Sequence, residues 1–283
     1  MPLVTNAEMI TAAAAGGYAV PHFNICNLET VLAVADVAAD LKSPVIFGIH
    51  PVESGYAGNQ NLVAMITSVI ADRGITAGIH LDHSPTFEQV VRCIRDGYTS
   101  VMFDGSMIPL ADNLRITRDV VRVAQPAGVS VEAEVGTIGN TAEYGGEIEN
   151  PHLADPAACE AMAETGIDAL AVAIGNAHGV YIAEPRLDFD RLAEIRRRTD
   201  IPLVLHGGSG IPVAQVQRAI SMGVAKLNVG TAIHIAFTKG LKESMAANPD
   251  LHAIMDFLSA AQASVREVIA QYIGVAMSAG TQS

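Results

Sequence analysis

Basic residues are scarce in this chain. Its 283 residues include 17 Lys+Arg against 30 Asp+Glu, a formal net charge of −13. That balance argues against nonspecific binding to nucleic acid or to an anionic membrane, because both need an excess of Lys and Arg. An anionic substrate is still permitted, provided that backbone N–H groups, a helix N-terminus or a metal holds it. Cysteine is also sparse. Cys26, Cys93 and Cys159 are odd in number, scattered and without CxxC spacing, which predicts reduced, packed thiols rather than disulfides or a thiolate zinc site. No run of about 18 uninterrupted apolar residues occurs, so no transmembrane helix is expected. The first basic residue is Lys42, which fits neither a signal peptide nor a mitochondrial transit peptide, and the expected location is the cytoplasm. Linkers, low-complexity tracts and internal repeats are missing too, which predicts one domain over 1–283.

What is present is a large reserve of core-forming residues. Half of the chain is hydrophobic and 17% is charged, a composition that supports a folded core. Short apolar, β-branched runs alternate with longer amphipathic stretches. The runs predict strands near 18–23, 44–49, 77–81, 100–103, 129–135, 169–174, 202–205 and 225–229. Helices are expected near 28–41, 59–72, 86–96, 110–124, 156–165, 188–199, 213–222 and 231–246. Ser84-Pro85-Thr86 and Asp155-Pro156 supply helix start signals. Eight strands, each followed by a helix, predict an α/β fold of the (β/α)8 TIM-barrel type. An open doubly wound sheet is the alternative, but it usually has about five or six strands. Residues 3–15 predict a short extra helix before the first strand, and 251–274 a final helix beyond the barrel. The Gly- and Glu-rich stretch 136–154 reads as a lid.

In such a barrel, chemistry belongs at the C-terminal ends of the strands. The polar residues there are His22, Asn24, Asp82, His83, Asp104, Glu132, Glu134, Asn176, His178, His206, Asn228 and Thr231. His83, His178 and His206 follow three different strands, and three imidazoles on one rim suit a catalytic zinc with an open position. His22, His50 and His80 are competing ligands that spacing leaves open, whereas His152, His234 and His252 are expected in solvent. Asp82 suits general acid/base work, or else caps the Ser84-Pro85 turn. Strand neighbours point to opposite faces, so Asp82 and His83 share a site only if the strand ends there. Glu132 and Glu134 lie on one face, as do Lys226 and Asn228. Buried together they demand pairing, so a Glu132–Lys226 ion pair is expected beneath the site, with Glu134 nearer the metal. Lys226 could instead be a Schiff-base nucleophile. The turns His206-Gly207-Gly208-Ser209-Gly210 and Asn228-Val229-Gly230-Thr231 follow the last two strands, where barrels commonly bind phosphate.

These residues occur in a recognisable order. Phe23-Asn24 is followed by NLET at 27–30, LDH at 81–83, SVMFDGS at 100–106 and VEAEVG at 131–136. Then come DALAVAIGNAHGVY at 168–181, PLVLHGGSGIP at 202–212 and KLNVGT at 226–231. Over nearly its whole length the chain resembles the zinc-dependent class II aldolases for fructose- and tagatose-bisphosphate, with most similarity to the tagatose branch. The resemblance implies that His83, His178 and His206 hold a catalytic Zn2+, with Asp104 and Glu134 lining an alternative metal position. It implies Asp82 as the proton donor/acceptor at the cleaved bond. Gly179, Gly207, Gly208, Ser209, Asn228, Gly230 and Thr231 would bind the dihydroxyacetone-phosphate half, with Asn24 nearby. Carbonyls around Gly179 and Gly207 would hold a monovalent cation, Na+ or K+. The implied reaction is reversible cleavage of a phosphorylated ketose to dihydroxyacetone phosphate and an aldehyde through a zinc-stabilised enediolate, in a homodimer or homotetramer. Ala-rich faces at 28–41 and 253–264 are candidates for the subunit contact.

The sequence departs from that family in four places. Ala142 stands where the lid acid aligns, which leaves Glu143 as the catalytic acid and Glu147 as the second choice. His50-Pro51 replaces a Ser/Thr-bearing loop, Met107 replaces a polar residue, and Gln262 stands where an Arg would grip the aldehyde-side phosphate. The alternatives are another metal-dependent barrel enzyme for sugar phosphates, an epimerase or hydrolase, or a non-catalytic aldolase-like subunit.

Overall fold

Runs such as Val45-Ile46-Phe47-Gly48-Ile49 are buried at every position, which a parallel sheet covered on both faces permits. The computed structural model describes residues 3–140 and 152–282. Its strands are β1 (Val20–Asn24), β2 (Val45–Ile49), β3 (Ala77–Ser84), β4 (Ser100–Phe103), β5 (Ser130–Val135), β6 (Gly139–Asn140), β7 (Ala169–Val172), β8 (Ala177–His178), β9 (Leu203–Leu205) and β10 (Val224–Val229). Eight of them close into a barrel in the order β1-β10-β9-β7-β5-β4-β3-β2, while β6 and β8 form a separate parallel pair at its mouth. The fold is the expected TIM barrel.

Side-chain alternation divides the barrel into two cores. Phe23, Phe47, Ile79, Leu81, Val101 and Leu205 point outward into the layer beneath the helices. Val20, Ile46, Met102, Ala169, Ala171 and Val204 point inward and meet Met9, Ile10 and Ala13 of the helix Asn6–Gly16, which plugs the barrel floor. That helix starts at Thr5, whose hydroxyl accepts the Glu8 N–H and satisfies one orphan donor. Above the apolar floor the interior becomes polar: His22, His80, Ser100, Glu132 and Lys226 are all buried. The three thiols are free, with Cys93 and Cys159 buried. No helix among the described residues is long and apolar enough to cross a membrane.

Three details differ from the sequence reading. β3 runs on to Ser84, but its register breaks between Leu81 and Ser84. A short helix, Pro51–Ala57, follows β2; His50 caps it, Pro51 sits in its first turn and the Glu53 side chain returns to the His50 N–H. This is a capping box with a favoured proline, and its residues were all visible in the sequence. The Ala-rich face of 28–41 is not an open surface: Val31, Val34, Ala35 and Ala38 are fully buried. The C-terminal helix Ile254–Val275 packs on this helix, and Arg266 bridges to Asp36 and Asp40.

Two substitutions probe the polar interior. A Cβ at Gly48 would overlap the ring of His22, so Gly48→Ala should lower stability by about 1–3 kcal/mol, the usual scale of overpacking. In a His22→Ala background the same change should be nearly neutral, giving a coupling that a double-mutant cycle by thermal or urea melts would detect. Lys226→Met strands Glu132 and should lose about 3–5 kcal/mol, with much of it recovered when Glu132→Gln is added. A loss under about 1 kcal/mol would show that the ion pair does not hold the interior together.

Candidate active site

The register break in β3 decides where the site forms. His83 has φ 48°, in the left-handed region, so the chain turns between neighbours that a regular strand would send to opposite faces. Asp82 and His83 thereby both reach the barrel mouth. Asn24 donates to Asp82 Oδ2 at 3.0 Å and Asn228 donates to Oδ1 at 3.2 Å. Asp82 therefore does not cap the Ser84-Pro85 turn; Thr86 caps the following helix.

His83, His178 and His206 converge. Each offers one ligand atom, and these atoms lie within 4.8 Å of one another. His83 Nε2 and His206 Nδ1 are 2.7 Å apart, and the His83 and His178 ring centroids 4.8 Å. Beneath them, His206 Nε2 meets Glu132 Oε1 at 2.8 Å, and Lys226 Nζ donates to Glu132 Oε2 at 2.7 Å. The expected ion pair is present, and its carboxylate also orients an imidazole. On its other edge, His83 Nδ1 lies 2.8 Å from Asp104 Oδ2 and 3.8 Å from Glu134 Oε2. His83, Asp104 and Glu134 make a second possible metal group, and that Glu134 oxygen is buried without a hydrogen-bond partner among the described residues.

A third group, His22, His80 and Asp82, meets the same distance criterion. Lys226 Nζ lies 3.5 Å from His80 Nε2, so the ammonium already supplies the positive charge there and disfavours a dication. His50 belongs to none of these groups, although its ring centroid is 6.1 Å from that of His83. His152 and His252 are exposed. His234 is not simply solvated: its Nε2 lies 3.7 Å from Glu53 Oε1.

Charge makes the pocket a candidate cation site. Burial pushes His83 down, but Asp82, Asp104 and Glu134 outweigh it and hold the ring up at about 10. Burial and the neighbouring Asp104 push the Glu134 carboxyl well above its ordinary range. Burial, with His83, keeps His178 and His206 well below theirs, hence neutral with lone pairs to give. Burial pushes Asp82 up, yet His22, His83, His206 and Lys226 together hold it well down, so it is a charged base. Two neutral imidazoles beside His83 and the carboxyl groups of Asp82 and Asp104 are a donor set that a divalent metal can take.

The site opens into a cavity of about 390 Å³. Gly207, Ser209, Asn228, Gly230 and Thr231 form one wall with Asn24. Ser209 Oγ accepts the Ala232 N–H at 3.1 Å in the first turn of the helix Thr231–Ala247, whose start has no side-chain cap. Gly207 has φ 65°, and a Cβ there would strike the Ala177 carbonyl. Gly179 and Gly208 are not on the cavity wall; Gly208 lies behind it, donating to the Asn228 carbonyl at 2.9 Å. Two residues not assigned a role from sequence hold the loops that carry His178 and His206. Asn176 donates to the His206 carbonyl at 3.0 Å. Tyr181 donates to the Gly207 carbonyl at 3.0 Å and accepts the Ala177 N–H at 2.9 Å. Asn176 was visible as a rim residue, whereas nothing in its spacing marked Tyr181. Glu143 and Glu147 lie outside the described residues.

Comparison with known proteins agrees with this arrangement. Residues 4–281 match the family described as "Fructose-bisphosphate aldolase class-II". The protein named "Fructose-bisphosphate aldolase" from Geobacillus stearothermophilus is 46% identical over 256 residues, 89% of each chain. One named "Probable fructose-bisphosphate aldolase" from Bacillus subtilis (strain 168) is 42% identical over 273 residues, 95% of each chain. The crystal structure of the YdjI aldolase from Escherichia coli K12 matches with a TM-score of 0.87 at 30% identity, covering 99% of this chain and 100% of that one. The chain belongs to the class II fructose-bisphosphate aldolases, a family of metal-dependent carbon–carbon lyases.

Proposed function

We propose that the protein reversibly cleaves a ketose 1-phosphate or ketose 1,6-bisphosphate of the fructose or tagatose type to dihydroxyacetone phosphate and an aldehyde. The observation that carries this reading is the convergence of three imidazoles beside the charged, doubly hydrogen-bonded Asp82. His83, His178 and His206 would hold a Zn2+ ion, with Asp104 and Glu134 as an alternative position sharing His83. When bound, the metal supplies Lewis-acid stabilisation of the charge left on the ketose carbonyl and hydroxyl oxygens.

The remaining steps belong to the chain. Asp82 removes the proton of the hydroxyl whose collapse releases the aldehyde. Asn24 and Asn228 fix the direction of its carboxylate. A lid acid, Glu143 or failing that Glu147, returns a proton to the enediolate. The phosphate sits at the start of the helix Thr231–Ala247 among Gly207, Ser209, Gly230 and Thr231, where backbone N–H groups replace basic side chains. That answers how a protein of net charge −13 accepts an anionic substrate. Gly208 supports that wall from behind. The carbonyls near Gly179 and Gly207 remain the positions for a monovalent cation, although the Gly207 carbonyl already accepts the Tyr181 hydroxyl. Lys226 is not the nucleophile in this reading, since an ammonium paired with Glu132 has no lone pair to attack with. A cytoplasmic homodimer or homotetramer completes the proposal.

Removing the metal with EDTA should abolish release of dihydroxyacetone phosphate from a panel of ketose phosphates, and added zinc should restore it. Activity surviving complete metal removal would overturn the reading. Asp82→Asn should keep the bound metal, measured by elemental analysis, while kcat falls by about 10²–10⁴-fold. His206→Ala should instead lose metal and activity together.

A further inference from the structure

Glu53, Asp82, Asp104 and Glu134 face the cavity, and no Lys or Arg lines it among the described residues. The phosphate wall needs no cation, because a helix start serves it. Across the mouth the situation differs. β9 and β10 carry the phosphate loops, whereas β2 and β4 flank β3 on the far side of the ring. The segments following β2 and β4 contribute His50, Pro51, Val52, Glu53 and Met107. Val52 and Met107 are 69% and 73% exposed. A second phosphate placed there would lie beside apolar side chains and the Glu53 carboxylate, with no Lys or Arg to pair with among the described residues.

Besides the Ser106 hydroxyl, this wall offers His50 as a neutral donor. His50 Nδ1 accepts the Val52 N–H at 3.3 Å, and the Glu53 side chain accepts the His50 N–H at 2.8 Å. The first bond fixes the tautomer, so in the neutral ring Nε2 carries the proton. Nε2 has no partner among the described residues, and the ring lies on the cavity wall 6.1 Å from that of His83. The segment is stiffened by its capping box and by Pro51, so the donor is held in place before substrate arrives.

We propose that His50 is the aldehyde-side specificity residue: its Nε2–H donates to a hydroxyl oxygen of a short, uncharged hydroxyaldehyde, so that a ketose 1-phosphate is preferred over the matching 1,6-bisphosphate. The proposal rests on the aldolase reading of the same site and narrows its substrate class.

The test uses the zinc-loaded full chain and three measurements. These are kcat/KM for a ketose 1-phosphate, kcat/KM for the 1,6-bisphosphate of the same stereochemistry, and solvent hydrogen exchange at C3 of dihydroxyacetone phosphate without aldehyde. The monophosphate should be preferred by at least about 10-fold, the scale on which a paired polar group discriminates. His50→Asn keeps a cap acceptor but not the distant donor, and should lose about 10-fold in kcat/KM for the monophosphate, mostly through KM. His50→Gln, which reaches the Nε2 position, should stay within about 3-fold. Met107→Arg should shift the preference toward the bisphosphate by about 10-fold. Equal or greater wild-type activity on the bisphosphate would overturn the proposal, as would His50→Asn and His50→Gln behaving alike. Absence of hydrogen exchange in the wild-type protein would overturn the aldolase reading itself, and the proposal with it.

Discussion

Glu132 is the contact on which the barrel mouth depends. One carboxylate oxygen takes the Lys226 ammonium from below and the other meets His206 from above, both within 2.8 Å. A buried carboxylate with no partner is intolerable, so its burial compels Lys226 to be present. With one oxygen committed to Lys226, the other fixes the edge of the His206 ring. The opposite edge of that ring then faces His83 at 2.7 Å, and His83 in turn reaches Asp104. The chain of contacts joins the fold's interior to the barrel mouth, and it pairs the lysine two residues below a rim asparagine with a buried carboxylate.

A second consequence is how charge is distributed. Lys226 neutralises one carboxylate at the centre of the barrel, but Asp82, Asp104 and Glu134 above it have an ion-pair partner in His83 and in no Lys or Arg among the described residues. A divalent ion would restore that balance and a single histidine proton does so only in part; the same carboxylates push the His83 ring up, to about 10. The phosphate wall is arranged on the opposite principle. In the proposed reading it has no counter-charge of its own and relies on the start of Thr231–Ala247, where Ser209 takes the Ala232 N–H and partial positive charge comes from peptide dipoles. In the proposed reading, separating the two would draw a metal to one end of the cavity and a phosphate to the other.

Most of this was legible in the residues because barrel strands alternate and end in the same place. The eight apolar runs predicted the strands within a few residues, and reading the polar residue at each strand end picked out Asp82, His83, His178 and His206 before any geometry existed. What was missed was missed for physical reasons. The helix Pro51–Ala57 is shorter than a hydrophobic period can reveal, although its cap residues were in view. Tyr181 acts through its hydroxyl on two backbone groups, a contact between loops that leaves no pattern along the chain. The Ala-rich face of 28–41 was read as permitting a subunit contact, because an apolar stripe says that something covers it and not what. In the fold, the C-terminal helix packs against it.

The least expected feature is also the one that makes the site possible. A regular strand cannot present Asp82 and His83 to one metal and one substrate. Ending β3 at Leu81, as the apolar pattern suggested, would solve this but would release both side chains onto a loop. The fold instead continues pairing to Ser84, whose partner is Phe103, and inserts a single left-handed residue at His83. A non-glycine residue there costs about 1–2 kcal/mol, and histidine is among the side chains that tolerate it best. In return, base and ligand are anchored on both sides by a barrel strand, and the hydrogen bonds from Asn24 and Asn228 reach a carboxylate that does not drift. Strain confined to one residue thus replaces the disorder that a loop would bring to the acid and the metal at once.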